Sequence, residues 1–359
     1  MAVIKLKTQN LKVSTHYTTP DWLNRRPLWT MLVSGLLLIA GIAVLCIGLG
    51  SVAIPPQISL QILLNWLAPS WASVNIPASY TTIVLELRLP RVALVALTGA
   101  SLASAGCAYQ SMFRNPLADP YLIGVASGAG LGAIVAMTLR TLYPTSSLFL
   151  LPIAAFSGAS MAVTLVYALG RADHQRTTMS MLLAGVAINA LTTAISTLLL
   201  LRLSHGSTTV LAFLFGGYSN ASWQAVLIVG PLALLGYILV QMHARDLNLM
   251  LFDDDQARQL GIQVERVRLE VIIAATLMTS IAVAFSGLIG FVGLIVPHAM
   301  RMLIGGDQRR LLPMTAIGGA GFLLLTDLAA RTLLTPEEIP LGVVTALVGT
   351  PFFLWLLRR

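Results

Sequence analysis

Long uncharged stretches are the feature that most constrains how this chain can fold. An α-helix needs about 20 apolar residues to cross a bilayer. Seven stretches of that length contain no Asp, Glu, Lys or Arg: residues 27–85, 92–113, 120–139, 141–170, 177–201, 203–244 and 271–300. Charged residues make up 10% of the chain, whereas soluble chains carry about 25%. The sequence therefore predicts an all-α, polytopic membrane protein.

The charges, prolines and turn-forming residues divide these stretches into ten predicted transmembrane helices. They are 28–50, 92–112, 120–139, 148–170, 177–201, 222–242, 269–286, 288–304, 311–330 and 341–357. The region 269–304 is divided only by the sequence FSGLIGFVG. At about 1.5 Å per residue, one helix of that length would far exceed a hydrocarbon core of about 30 Å. Two spans, or one span and a re-entrant piece, are required there.

The distribution of basic residues predicts that both termini lie in the cytoplasm. Arginine and lysine collect on the cytoplasmic side of membrane proteins. With ten spans, five of the 22 basic residues remain outside: Arg88, Arg91, Arg140, Arg202 and Arg331. The chain then divides into a cytoplasmic tail, 1–26, and a single transmembrane domain, 27–359, with a cytoplasmic loop at 243–268. The net charge of +8 is explained by these basic loops at the lipid bilayer, so no nucleic-acid partner is expected.

Within that loop, the sequence LFDDDQARQLGIQVERVR (251–268) gathers most of the charge. Asp253 to Asp255 are suited to an N-cap and first turn. Asp254 and Arg258 stand four residues apart on one helical face, where opposite charges are neighbours. Gly261 is suited to the helix end. A helix of about seven residues is too short to be stable alone, so it either docks against another protein or is a solvated connector.

Two blocks of sequence closely resemble the permease subunits of bacterial ABC importers for iron-siderophores, haem and cobalamin. The first is ELRLPRVALVALTGASLASAGCAYQSMFRNPLADPYLIGVASGAGLGA (86–133). The second begins SGLIGFVGLIVPHAMRMLIGG and ends TPEEIPLGVVTALVGTPFF (286–353). The resemblance implies alternating-access import of a metal chelate across the bacterial cytoplasmic (inner) membrane, with an iron-siderophore favoured over haem or cobalamin. It also implies two P-loop ATPase subunits, a second permease, identical or paralogous, and an extracytoplasmic substrate-binding protein.

The resemblance assigns roles to three groups of residues. The sequence DQARQLG matches the importer pattern E-A-A-x-x-x-G, apart from Gln256, and implies an ATPase-coupling set of Asp253, Asp254, Asp255, Ala257, Arg258, Leu260 and Gly261. The binding protein would dock through its glutamates at the outer mouth on Arg88, Arg91 and Arg331. Asp327 would hold Arg331 in place, or the two form a purely structural pair. Thr177 and Thr178 resemble the inner gate of the family.

Residues that the sequence lacks argue against several other functions. A P-loop needs a lysine that reaches the phosphates, and no lysine follows Lys12. ATP and Mg would therefore bind to the partner ATPase, and no cofactor is expected on this chain. The absence of H-E-x-x-H or clustered His and Cys residues predicts no metal site.

An ion-coupled secondary transporter, the alternative function, would need ionisable residues near the bilayer midplane, and Asp327 is the one candidate. An intramembrane enzyme would need a catalytic constellation, and none is visible.

Small residues at helical spacing have two interpretations. They are Gly124, Gly128 and Gly132, and Gly287, Gly290 and Gly293. Such residues let helices pack closely, or they leave room for a bulky chelate. Sequence spacing does not separate these alternatives, nor does it identify the chelate.

Overall fold

The computed structural model describes residues 27–50, 54–67, 76–143, 150–170, 177–201, 207–218, 221–335 and 337–358. Every regular element within these ranges is a helix. The helices are α1 (Leu28–Gly48), α2 (Pro56–Leu67), α3 (Ala78–Met112), α4 (Val125–Leu142), α5 (Leu150–Gly170), α6 (Thr177–Leu200), α7 (Ser207–Phe215), α8 (Trp223–Met242), α9 (Ala244–Met250), α10 (Asp254–Gln259), α11 (Val264–Ser286), α12 (Val292–Ile304), α13 (Gln308–Thr332) and α14 (Leu341–Leu357). A short 3₁₀ turn, Pro120–Ile123, joins α3 to α4.

The predicted helical class is confirmed, and each predicted span coincides with an apolar helix. Within the described ranges, seven helices are long and apolar enough to cross a membrane: α1, α3, α5, α6, α8, α11 and α13. The remaining three predicted spans correspond to the shorter apolar helices α4, α12 and α14. The number of spans and the sides of the termini stay predictions, and the tail 1–26 lies outside the described residues. Helices α2 and α7 were not predicted, because they are too short to produce a span-length signal.

Helix α3 is longer than the sequence predicts. It begins at Ala78 and contains 35 residues, so it is roughly 50 Å long. The predicted start at residue 92 followed the rule that charges end a span. That rule is wrong here, because Glu86, Arg88 and Arg91 lie inside a continuous helix.

A break between α11 and α12 confirms that residues 269–304 form two helices. Gly287 and Phe291 both have φ of +70°, in the left-handed region that ends a right-handed helix. A Cβ on Gly287 would also collide with the Phe213 carbonyl. Helix α12 has 13 residues and is roughly 20 Å long, which is shorter than a hydrocarbon core of about 30 Å.

Most of the glycines at helical spacing are packing residues. A Cβ on Gly128 would meet the Gly158 backbone, and one on Gly132 would meet Ala154, so both positions bring α4 close to α5. Gly293 touches Gly106 on α3 in the same way. These contacts support the packing interpretation.

Candidate coupling and docking sites

A six-residue helix, α10, lies within segment 243–268 and carries Asp254 and Asp255 in its first turn. Asp253 is its N-cap, and the Asp253 carboxylate accepts a hydrogen bond from the Asp254 backbone N–H at 2.8 Å. Gly261 follows the helix with φ of +86°, a conformation in which glycine avoids the steric cost of a Cβ. The predicted N-cap and helix end are therefore confirmed.

Helix α10 is buried on one side and apolar at its exposed flanks. Ala257 is fully buried, whereas Leu260 is 61% exposed and Phe252 is 60% exposed. A helix this short depends on packing for stability, and Ala257 provides it on one side. These two exposed apolar side chains lie at opposite ends of α10 beside several charges, an arrangement suited to contact with a protein partner. We call Phe252 and Leu260 the α10 apolar patch.

Asp254 connects α10 to two other parts of the chain. Its Oδ1 lies 3.1 Å from Nη2 of Arg114, in the loop after α3. Its Oδ2 lies 2.8 Å from Nη2 of Arg268 on α11. Arg268 is buried and also contacts Glu265 at 3.2 Å. Arg114 also donates a hydrogen bond to the Phe252 carbonyl at 2.6 Å. Helix α10 is thereby held by charge against α11 and the loop after α3.

Arg258 does not form the pair that its spacing indicates. Its Nη1 lies 3.0 Å from Asp255, and its Nη2 lies 3.3 Å from Glu265. The predicted contact with Asp254 is wrong, because both oxygens of that carboxylate are already bound by Arg114 and Arg268. Sequence spacing on one helix cannot reveal such competition from other helices.

Near the end of α13, Asp327 lies between two arginines. Its Oδ2 lies 2.9 Å from Nε of Arg331, which confirms the predicted pair. Its Oδ1 accepts hydrogen bonds from Arg91, from Nη2 at 2.9 Å and from Nε at 3.2 Å. Arg91 also donates to both carboxylate oxygens of Glu338, at 2.9 and 3.1 Å. Glu338 was not identified from the sequence. The two adjacent glutamates in TPEEIP are the feature that could have pointed to it.

Arg88 and Arg331 bind the carboxyl end of α1. Four carbonyls accept hydrogen bonds from them at 2.6 to 3.3 Å: those of Ile47 and Gly48 from Arg88, and those of Cys46 and Leu49 from Arg331. The last carbonyls of a helix lack intrahelical donors and attract cations. The two arginines are only 7% and 6% exposed. Both side chains are therefore buried within this chain, and their role as docking residues at the outer mouth stays a prediction.

The predicted inner-gate residues lie in the first turn of α6, which begins at Thr177. The side chains of Thr177 and Thr178 lie outside the described part of the structure, so the gate stays a prediction. Among the described residues, no group of three His, Cys, Asp or Glu side chains could hold a metal ion.

An apolar cavity of about 660 Å³, open on one side to the protein surface, lies beside the break between α11 and α12. It is lined by the end of α7, by residues of the break and by one face of α14. Among its described lining residues, Thr350 has the only polar side chain and none is charged. Gly290 also lines the cavity and has no packing neighbour closer than 4.0 Å. At this one glycine, the open-space interpretation is favoured over packing.

Comparison with known proteins identifies related chains over most of this length. The model of the FecCD transport family matches residues 36–359. The cobalamin import system permease protein BtuC of Halobacterium salinarum is 40% identical over 284 residues, covering 79% of this chain and 75% of that protein. The hemin transport system permease protein HmuU of Yersinia pestis is 41% identical over 278 residues, covering 77% and 83%.

One solved structure is similar over nearly the whole chain. It is described as an inward-facing conformation of an ABC transporter assigned to the metal-chelate type. The alignment has a TM-score of 0.79 and 29% sequence identity, and it covers 92% of this chain and 99% of that chain. The arrangement of helices described above is therefore that of an ABC transporter membrane subunit.

Proposed function

The chain belongs to the FecCD transport family, and on that premise we propose that it carries a metal chelate into the cytoplasm by alternating access. Permeases of this family are membrane subunits of ABC importers, and separate subunits hydrolyse the ATP. ATP and Mg accordingly bind to those subunits, and this chain needs no cofactor of its own. We place the whole of 27–359 in one transmembrane domain of the bacterial cytoplasmic (inner) membrane.

The α10 apolar patch is the observation that carries this proposal. Two P-loop ATPase subunits would bind, one to each permease, where Phe252 and Leu260 are exposed beside Asp255 and Arg258. The second permease is an identical copy or a paralogue. Ala257 and Gly261 would shape α10 for this contact, since the first is buried under the helix and the second turns the chain after it.

We propose that an extracytoplasmic binding protein docks at the opposite end, around Arg88, Arg91 and Arg331. Arg91 is the most exposed of these arginines, with 15% of its side chain accessible. Its partner Glu338 is 51% exposed, so a glutamate of the binding protein could compete for Arg91 without entering the buried network. Arg88 and Arg331 would act by holding α1 in place.

The metal chelate fits the apolar cavity better than a small ion does. Its lining offers no charge in the described residues, whereas a bare ion needs charged or carbonyl ligands. Relatives named for cobalamin and for hemin are equally similar to this chain, so identity does not choose between chelates. The iron-siderophore expected from the sequence stays a prediction.

An ion-coupled secondary transporter is less well supported. Its one candidate for an ion-coupling group was Asp327, whose carboxylate accepts hydrogen bonds from Arg91 and forms an ion pair with Arg331. The two arginines already balance the charge of this carboxylate, so a coupling cation would have to compete with them.

The proposal is tested by purifying the protein in mild detergent and identifying co-purifying proteins by mass spectrometry. The wild-type chain should retain a stoichiometric P-loop ATPase. Leu260→Asp, which places a charge in the α10 apolar patch, should lose the ATPase. Gln263→Asp is the matched control, because it adds the same charge at an exposed position of the same loop. An absent ATPase in the wild-type preparation would contradict the proposal, and so would retention by Leu260→Asp.

A further inference from the structure

We infer that Arg114 and Arg268 are positioning residues that transmit movements of α10 to α3 and α11, with Asp254 as their shared partner. This inference rests on the proposed function, because it concerns how ATPase movement reaches the transmembrane helices. The FRNPLADP sequence that contains Arg114 was given no functional role by the sequence analysis, and its contacts with α10 now suggest one.

The geometry of Asp254 makes it a bridge. One carboxylate oxygen binds Arg114 at 3.1 Å, and the other binds Arg268 at 2.8 Å. The two arginines are 140 and 14 residues away from Asp254 in sequence; Arg114 directly follows α3, and Arg268 lies on α11. A shift of α10 therefore pulls on both helices through one side chain.

Because Arg268 is buried, its ion pair with Asp254 is costly to break. Its side chain is 1% exposed, although it carries a full charge. A buried cation that loses a partner suffers a large desolvation penalty, whereas exposed ion pairs contribute little. The neighbouring Arg266 illustrates the exposed case, since its side chain is 71% exposed and its ion pair, with Glu270, is one helical turn away. Helix α10 should therefore move together with Arg268 and not away from it.

The backbone at Arg114 fixes the other end of the bridge to α3. Arg114 has φ of +52°, which is uncommon for a residue with a Cβ and persists only where the surroundings enforce it. Its N–H donates to Ser111 at 3.2 Å, and the next N–H, of Asn115, donates to Gln110 at 3.1 Å. The Asn115 side chain accepts from Leu117 N–H at 2.9 Å. The loop after α3 is thus held rigidly on the helix end.

The test measures ATP hydrolysed per chelate transported in proteoliposomes that contain the complete importer. Arg268→Met removes the charge and keeps a long side chain. This variant should still bind the ATPase, but its ATP use per chelate should rise about tenfold, because movements of α10 would no longer reach α11 through the bridge. Arg268→Lys should restore part of the coupling, and Arg266→Met is the control that should behave as wild type.

The outcomes separate this inference from the proposed function. A wild-type preparation without ATPase-driven transport would contradict the proposed function itself. Coupled wild type together with an unchanged ratio in Arg268→Met would overturn only the bridge, as would loss of ATPase binding by that variant. Should Arg268→Met fail to fold, Arg114→Met removes the other half of the bridge at a side chain that is 32% exposed. A folded Arg114→Met variant with normal coupling would also overturn the inference.

Discussion

Arg91 offers an internal comparison of buried and exposed ion pairs. It binds Asp327, whose side chain is fully buried, and Glu338, whose side chain is 51% exposed. Asp327→Asn should cost about 3–5 kcal/mol, because it leaves buried guanidinium groups without their countercharge. Glu338→Gln should cost about 0–1 kcal/mol, because water screens that pair. Each substitution removes one negative charge and keeps the side-chain shape, so the difference reports burial.

The assay is equilibrium unfolding of the purified protein in mixed SDS micelles, followed by tryptophan fluorescence. The double variant supplies a further check, because Arg91 then loses both carboxylates. Its loss of stability should exceed the sum of the single losses by about 0.5–3 kcal/mol, the usual range for residues that share a partner. Equal losses for the two single variants would refute the reasoning from burial.

Two further predictions use the same unfolding measurement. A Cβ on Gly106 would collide with the Gly293 backbone, so Gly106→Ala should destabilise the protein by about 1–3 kcal/mol. Gly41→Ala, where nothing lies within 4 Å, should instead be neutral or stabilising, and the reverse order would contradict the packing interpretation. Burial raises the pKa of the Asp119 carboxyl to about 6. Because this folded-state pKa exceeds the unfolded value of about 3.9, its stabilising contribution at low pH is lost as the pH rises through about 6. Asp119→Asn should therefore flatten the decline in stability between about pH 4 and 7, and an unchanged pH profile would show that another group is responsible.

The helical architecture was predictable because the bilayer imposes a length that hydropathy reports directly. Each charge-free stretch coincides with at least one apolar helix. The predicted start of α3 was wrong, because Arg88 and Arg91 were interpreted as charged residues that lie outside the span. Arg88 is compatible with a helix interior because the carbonyls of Ile47 and Gly48 accept its hydrogen bonds. Such partners depend on tertiary packing, which sequence periodicity does not contain.

In the candidate sites too, contacts between residues close in sequence were predicted, and contacts between distant residues were not. The Asp253 N-cap, the Gly261 helix end and the Asp327–Arg331 pair were predicted, since each is decided within four residues of sequence. The pairs that organise the sites were missed. Arg114 is 140 residues from Asp254, and Arg91 is 247 residues from Glu338. No spacing rule operates over such separations.

Helix α3 explains why these distant networks depend on packing as well as charge. Arg88 and Arg91 lie toward its start, and Arg114 directly follows its end. Between them, the small residues Gly99 and Gly106 bring its backbone against α13 and α12. Without those contacts, rotation or sliding of α3 would displace Arg91 and Arg114 from their carboxylate partners and Arg88 from the carbonyls of α1. The ion pairs can be short at both ends only because glycine packing fixes α3 along its length, and a substitution that widens one of these contacts should disturb the α10 bridge and the Asp327 network together.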